Sequence, residues 1–235
     1  MLEALVDIRV ERGSPIDLPT LANVHVGEEE RYPKREALMS SSITFDPKGN
    51  AVAQAAQSMN GYRFSDSANS RIAQVRQDGF TFSRLQPYDQ WESWRGEARR
   101  VWDRYVEAVR PKTINRVAVR YINRIDVSST RGRLRDYLNI YPELPNEIPN
   151  LMTGFIMRLE LALPDLPSAA LVLSLGRIPP PSQGLVSILL DLDLYQQLKM
   201  GPREENLWDS LETLHARENL FFESCITDRA RELFT

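Results

Sequence analysis

The chain has 235 residues, with 29 lysines and arginines against 32 aspartates and glutamates, two histidines and one cysteine. A single Cys225 excludes an intrachain disulfide and a cysteine-rich zinc or iron–sulfur site, and His25 and His215, 190 positions apart, leave little for a histidine-based metal centre. Charged residues at 26% and hydrophobic residues at 42% describe an ordinary globular chain, long enough to bury roughly 70–75% of its unfolded surface.

The first residues, Met1-Leu2-Glu3-Ala4-Leu5-Val6-Asp7, carry acids where a signal peptide carries lysines. The longest apolar stretches, 169–175 and 185–190, fall far short of the ~20 residues needed to cross a bilayer. The expectation is a cytoplasmic protein with no membrane partner.

Residues 5–11 predict a strand: Val6, Ile8 and Val10 share one face, and Asp7, Arg9 and Glu11 the other. Residues 13–40 are turn-rich and polar, an excursion over the surface that includes Ser40 as the first of a serine run, Ser40-Ser41-Ser42, read as loop. Residues 43–45 form a short strand, ended by the turn cluster Asp46-Pro47-Lys48-Gly49-Asn50. Residues 51–59 fit a short helix or a loop. The β signal returns at Tyr62 and Phe64, then at 72–76 and 80–85, with Asp78-Gly79 as the hairpin turn between the last two.

The clearest helix of the first half follows. Trp91, Trp94, Ala98, Val101, Trp102, Tyr105 and Val109 recur at three- and four-residue spacing, with Glu92, Arg95, Arg99, Arg100 and Glu107 opposite. Asp89 is placed as its N-cap and Pro111 as its stop. A long strand over 114–127 comes next, then a loop over 128–150. Strands at 155–163, 169–178 and 185–194 follow, the last two apolar on both faces for much of their length. A helix over 204–217 turns Leu207, Trp208, Leu211 and Leu214 inward, and Thr227 caps a final helix over 228–234. Runs of strands followed by helices define an α+β fold with a mostly antiparallel sheet. It divides into an N-terminal half (1–127), a connecting loop (128–150) and a C-terminal half (151–235). One constant offset of 113 positions aligns Trp94, Ala98 and Val101 with Leu207, Leu211 and Leu214, so an internal duplication is considered.

Three stretches resemble a known family. They are Gly79-Phe80-Thr81-Phe82-Ser83-Arg84-Leu85 with Tyr88 and Trp91; Arg120-Tyr121-Ile122-Asn123-Arg124-Ile125-Asp126-Val127 with Asp136-Tyr137-Leu138; and Leu214-His215, Asn219, Phe222-Glu223, Thr227-Asp228 and Leu233-Phe234. Together they resemble a sporadically distributed bacterial family of proteins of about this length, defined by sequence and of unknown function. The resemblance implies a bacterial cytoplasmic protein. It brings no activity, cofactor or catalytic residue.

Charge is unevenly placed. Between Gly61 and Arg135 stand sixteen basic residues against eight acidic ones, leaving thirteen basic against twenty-four acidic elsewhere. Fifteen of the sixteen cations are arginines, suited to planar, bidentate contact with phosphate or carboxylate. Arg116, Arg120 and Arg124 share parity on one strand, and Arg84 and Tyr121 add a further cation and an aromatic; Tyr62, Phe80 and Phe82 are interleaved nearby. Such a face suits a polyanion or a single-stranded nucleic acid. The competing reading pairs these arginines with the acidic half, notably Glu160, Asp191 and Asp193. Asp191 and Asp193 on one strand face, with Glu160 as a third carboxylate, also define the alternative of a metal-dependent enzyme acting on nucleic acid or nucleotide. His215, Ser224 and Cys225 show no nucleophile motif, and the sequence contains no phosphate-binding loop. The leading expectation is a binding or interaction protein, self-associating as a homo-oligomer, with no cofactor and no reaction legible in the sequence.

Overall fold

The computed structural model describes residues 1–11, 13, 16–45, 51–87, 90–128, 133–148 and 152–234, with the backbone alone for 40–45 and 51–57. Among them are nine strands: β1 (Glu3–Glu11), β2 (Lys34–Phe45), β3 (Ala51–Ser65), β4 (Arg71–Arg76), β5 (Gly79–Leu85), β6 (Thr113–Ser128), β7 (Ile156–Ala162), β8 (Ala169–Ile178) and β9 (Leu185–Met200). Four α-helices accompany them: α1 (Leu18–Ala22), α2 (Trp91–Val109), α3 (Asn206–Cys225) and α4 (Asp228–Arg231). The strands hydrogen-bond in the order β2-β3-β4-β5-β1-β6-β9-β8-β7, and the pairs β2/β3, β3/β4, β4/β5, β7/β8 and β8/β9 are antiparallel. The class is α+β, as the order of strand and helix patterns predicts.

The chain forms two compact units. One comprises Asp7–Asn115 with Lys199–Glu204, the other Met1–Val6, Arg116–Leu198 and Glu205–Thr235. They are called here the N-terminal and the C-terminal unit.

In the N-terminal unit α2 buries all seven residues of its predicted stripe, and Val106 with them. Their partners are the aromatic side chains of β5: Phe80 lies 5.8 Å from Trp102 and 6.1 Å from Tyr105 between ring centroids, and Phe82 meets Trp94 edge-on at 6.3 Å. Such contacts add about 0.5–1.5 kcal/mol per pair beyond the area removed from water. The polar tips of two of these rings are satisfied, Tyr105 donating to the Arg76 carbonyl at 3.0 Å and Trp102 to the Pro202 carbonyl at 3.1 Å. The helix ends at Arg110, a non-glycine residue in the left-handed region (φ 50°) whose N–H bonds the Val106 carbonyl, and Pro111 prevents continuation. Its expected cap Asp89, like the turn cluster 46–50, lies outside the described residues.

Three expectations need correction in this unit. Residues 51–59 are neither helix nor loop but belong to β3, and Ser40-Ser41-Ser42 is not loop but strand, pairing with Ser58, Gln57 and Ala56. Long-range pairing overrides the weak β preference of Ser, Ala and Gln. The β4–β5 turn is Gln77-Asp78, not Asp78-Gly79, because Gly79 pairs with Arg76 as the first strand residue. Glycine is required there for another reason: a Cβ would stand 2.4 Å from the Ile8 carbonyl oxygen.

In the C-terminal unit β6 buries its odd-numbered residues from Val117 to Val127, while Arg120, Ile122, Arg124 and Asp126 are half-exposed. Registers extend this division across the sheet. Met157, Leu175 and Leu190 form one apolar row, Leu159, Leu173 and Leu192 the next, and Leu161, Leu171 and Leu194 a third. The opposite face carries the row Glu160, Val172, Asp193 and the row Arg158, Ser174, Asp191. The helix α3 runs to Cys225, eight residues beyond its predicted end, and buries Leu207, Trp208, Leu211, Leu214, Glu218 and Cys225. Thr227 caps α4 by accepting from the Ala230 N–H, but the helix stops at Arg231 rather than 234. Between β6 and β7, residues 134–136 form a 3-10 turn, and Leu138 bridges to Ile226.

Candidate functional site

Period-two alternation puts Arg116, Arg120 and Arg124 on one face of β6, and each meets a carboxylate within the C-terminal unit. Arg120 grips Asp191 with two parallel bonds, Nε to Oδ1 at 2.8 Å and Nη2 to Oδ2 at 2.6 Å, the fork geometry that makes this kind of pair strong. That bond, more than the opposing cost of burial, raises the Arg120 guanidinium above its ordinary pKa. Arg116 approaches both oxygens of Asp193 at 3.4 Å and lies 4.6 Å over the Tyr195 ring, a cation–π contact. Arg124 bonds Asp126 at 2.8 Å, Ser187 Oγ at 3.1 Å and the Pro179 carbonyl at 3.3 Å. Burial acts to raise the Asp126 carboxyl, yet the hydrogen bonds from Arg124 and Ser187 outweigh it and hold the group below the usual range.

The result is a ladder of alternating charge. Of the acids expected to face the arginines, Asp191 and Asp193 do so, and Asp126 joins them from β6 itself. Glu160 stands two strands further out, on β7, and accepts from the Tyr195 hydroxyl at 3.1 Å. Among the described residues no three His, Cys, Asp or Glu side chains gather closely enough to hold a metal ion, so Asp191, Asp193 and Glu160 are arranged as ion-pair and hydrogen-bond partners rather than as a ligand set.

Two other singled-out residues lie apart from the ladder. Arg84 belongs to the N-terminal unit, where it is buried on β5 and donates from Nη1 to Ser70 Oγ at 2.6 Å. Tyr121 occupies the buried face of β6, opposite to its arginine neighbours. Of the aromatic residues named for base stacking, Phe80 and Phe82 are buried against α2, while Tyr62 on β3 is half-buried beside Phe64 and Arg35.

On that buried face Tyr121 hydrogen-bonds His215 Nδ1, and the Asn219 amide reaches His215 Nε2 at 3.1 Å. Two of the three stretches behind the family resemblance thus meet in this contact. One turn along α3 is Glu218, fully buried, with neither carboxyl oxygen in hydrogen-bond geometry; Asn123 on β6 has its Nδ2 buried without a partner. Burial drives the Glu218 carboxyl well above its ordinary pKa; the charges of Asp193 and Asp191 add to the rise, while Arg120 and the Tyr121 backbone oppose it. Sequence reading missed Glu218. Its signal was there, since it continues the stripe Leu207, Leu211, Leu214 at a position where a core residue is due.

No described helix is long and apolar enough to cross a membrane. Compared with family models, curated proteins and solved structures, the chain matches none of them.

Proposed function

We propose that this is a binding or interaction protein whose first partner is a second copy of itself. The observation that supports this is the open edge at β7. The strand is last in the sheet order, most of its side chains are exposed, and Ile156 is 90% and Leu161 45% accessible. An exposed, flat edge strand with apolar side chains is a template for pairing with another chain. Sedimentation velocity on the full chain, from low micromolar to near-millimolar concentration, should show a reversible rise in mass. A constant monomer mass removes this reading.

An anionic partner for the arginine-rich segment is a second reading, supported by the sixteen-to-eight excess of cations and by Arg120, whose side chain stays 38% exposed despite its bond to Asp191. A phosphate arriving there must exchange with a carboxylate. Binding of a labelled single-stranded oligonucleotide should then fall steeply with salt and on Arg120→Gln with Arg124→Gln; salt-independent or absent binding ends it. A bacterial cytoplasmic setting, which the resemblance quoted above implies, is part of this proposal.

A further inference from the structure

The strand β7 reads Ile156-Met157-Arg158-Leu159-Glu160-Leu161-Ala162, and its charge pattern is self-complementary about Leu159. We infer that the protein forms a two-fold symmetric dimer in which β7 pairs antiparallel with β7 of a second copy, centred on Leu159. This rests on the self-association proposed above and specifies its interface.

The open edge has a defined set of hydrogen-bonding groups. At the two ends of the β7/β8 pair, the Arg177 N–H bonds the Phe155 carbonyl and the Leu163 N–H bonds the Ala169 carbonyl, both at 3.1 Å. Residues of odd number therefore direct their backbone groups towards β8. Because these directions alternate along a strand, the N–H and C=O groups of Ile156, Arg158, Glu160 and Ala162 point away from the sheet, towards the open edge.

Symmetry then limits the register. A two-fold axis normal to the sheet leaves each face on its own side, and directly opposed residues must project from the same face. The axis must pass through a residue position, not between two. Centring on Arg158 opposes two arginines, and centring on Glu160 opposes two glutamates; like charges directly opposite are destabilising. Centring on Leu159 opposes Arg158 to Glu160 of the second copy twice, uses all seven residues, and puts Met157 opposite Leu161 and Leu159 opposite itself.

The side chains suit that arrangement. Arg158 is exposed and makes no ion pair with any described residue, although most arginines of the sheet do. Glu160 is exposed and uses one oxygen for the Tyr195 hydroxyl, leaving the other for a guanidinium. On the other face the apolar rows ending in Met157, Leu159 and Leu161 run off the edge, with Leu161 half-exposed. Pairing would continue these rows into the second copy.

The test is a pair of charge reversals read by sedimentation velocity. Arg158→Glu and Glu160→Arg each place like charges opposite one another twice, and each alone should weaken the dimer by about tenfold or more. Mixing the two variants should restore association, because every acid of one then faces a base of the other; the double variant Arg158→Glu with Glu160→Arg should dimerise by itself. Both positions are exposed, and unchanged thermal melts will show that the fold is kept. Wild-type protein that stays monomeric overturns this interface and self-association together. A wild-type dimer indifferent to either reversal, or a mixture that stays monomeric, overturns the β7 interface and leaves self-association standing.

Discussion

Each unit buries two carboxylates, Asp7 and Glu28 in one and Asp191 and Glu218 in the other, and Asp7 and Glu218 are treated oppositely. Asp7 on β1, in the N-terminal unit, is 7% exposed and fully engaged. Arg9 bonds its Oδ1 at 2.9 Å, and Arg76 at 2.8 Å and Thr81 at 2.7 Å share its Oδ2; Arg76 reaches Thr81 as well, at 2.8 Å. Glu218 on α3, in the C-terminal unit, is 0% exposed and has no hydrogen bond at either oxygen. In the first arrangement two guanidiniums and a hydroxyl replace the lost water. In the second nothing replaces it, and burial favours the neutral acid. Burial by itself therefore does not say whether an acid supports the fold.

The largest effect should come from breaking the satisfied site. Asp7→Ala leaves Arg76, whose side chain is only 12% exposed, without its closest carboxylate, and should cost about 3–5 kcal/mol in urea unfolding. A loss below ~1 kcal/mol would mean that the network contributes no more than a surface pair.

Next is the unsatisfied site, and here the sign is opposite. The native carboxyl of Glu218 titrates above the unfolded one, so in the interval between the two the native state holds a proton that the unfolded state has released. Stability then falls as pH rises, by ~1.4 kcal/mol per unit over that interval. Glu218→Gln removes this slope. It should leave stability nearly unchanged at pH 4 and raise it at neutral pH, by roughly 2–4 °C in Tm for each kcal/mol. Parallel pH profiles for variant and wild type would show that Glu218 is ionised in the folded protein.

The smallest effect should come from an acid that neither unit buries. Asp165 is 54% exposed and pairs with Arg217, itself 37% exposed. Asp165→Asn should change stability by less than ~1 kcal/mol, and that change should vanish at high salt. A larger, salt-resistant loss would erase the distinction drawn between buried and exposed carboxylates.

The same two acids explain where sequence reading stopped short. All of the α2 core except Val106 was legible, because its positions carry apolar or aromatic residues from Trp91 to Val109. The α3 stripe was followed only through Leu214, since the next core position holds Glu218, and a charge there reads as the end of the buried face. Asp7 was read as the polar side of a half-buried strand. Only the approach of Arg76 and Thr81 from β4 and β5 turns it into an interior group. At the ladder, parity alone placed Arg116, Arg120 and Arg124 on one face. Their partners depend on which strand becomes the neighbour of β6, and that neighbour, β9, is some 60 residues or more along the chain.

Local periodicity determined the α+β class, the α2 core, most strand positions and the shared face of the three arginines, because those follow from bond geometry within a few residues. Tertiary pairing decided the rest. It engaged Arg120 with Asp191 and Arg116 with Asp193, brought Tyr121 to His215, and left β7 at an edge. Contacts between elements far apart in sequence make those choices, and no short window along the chain contains both partners.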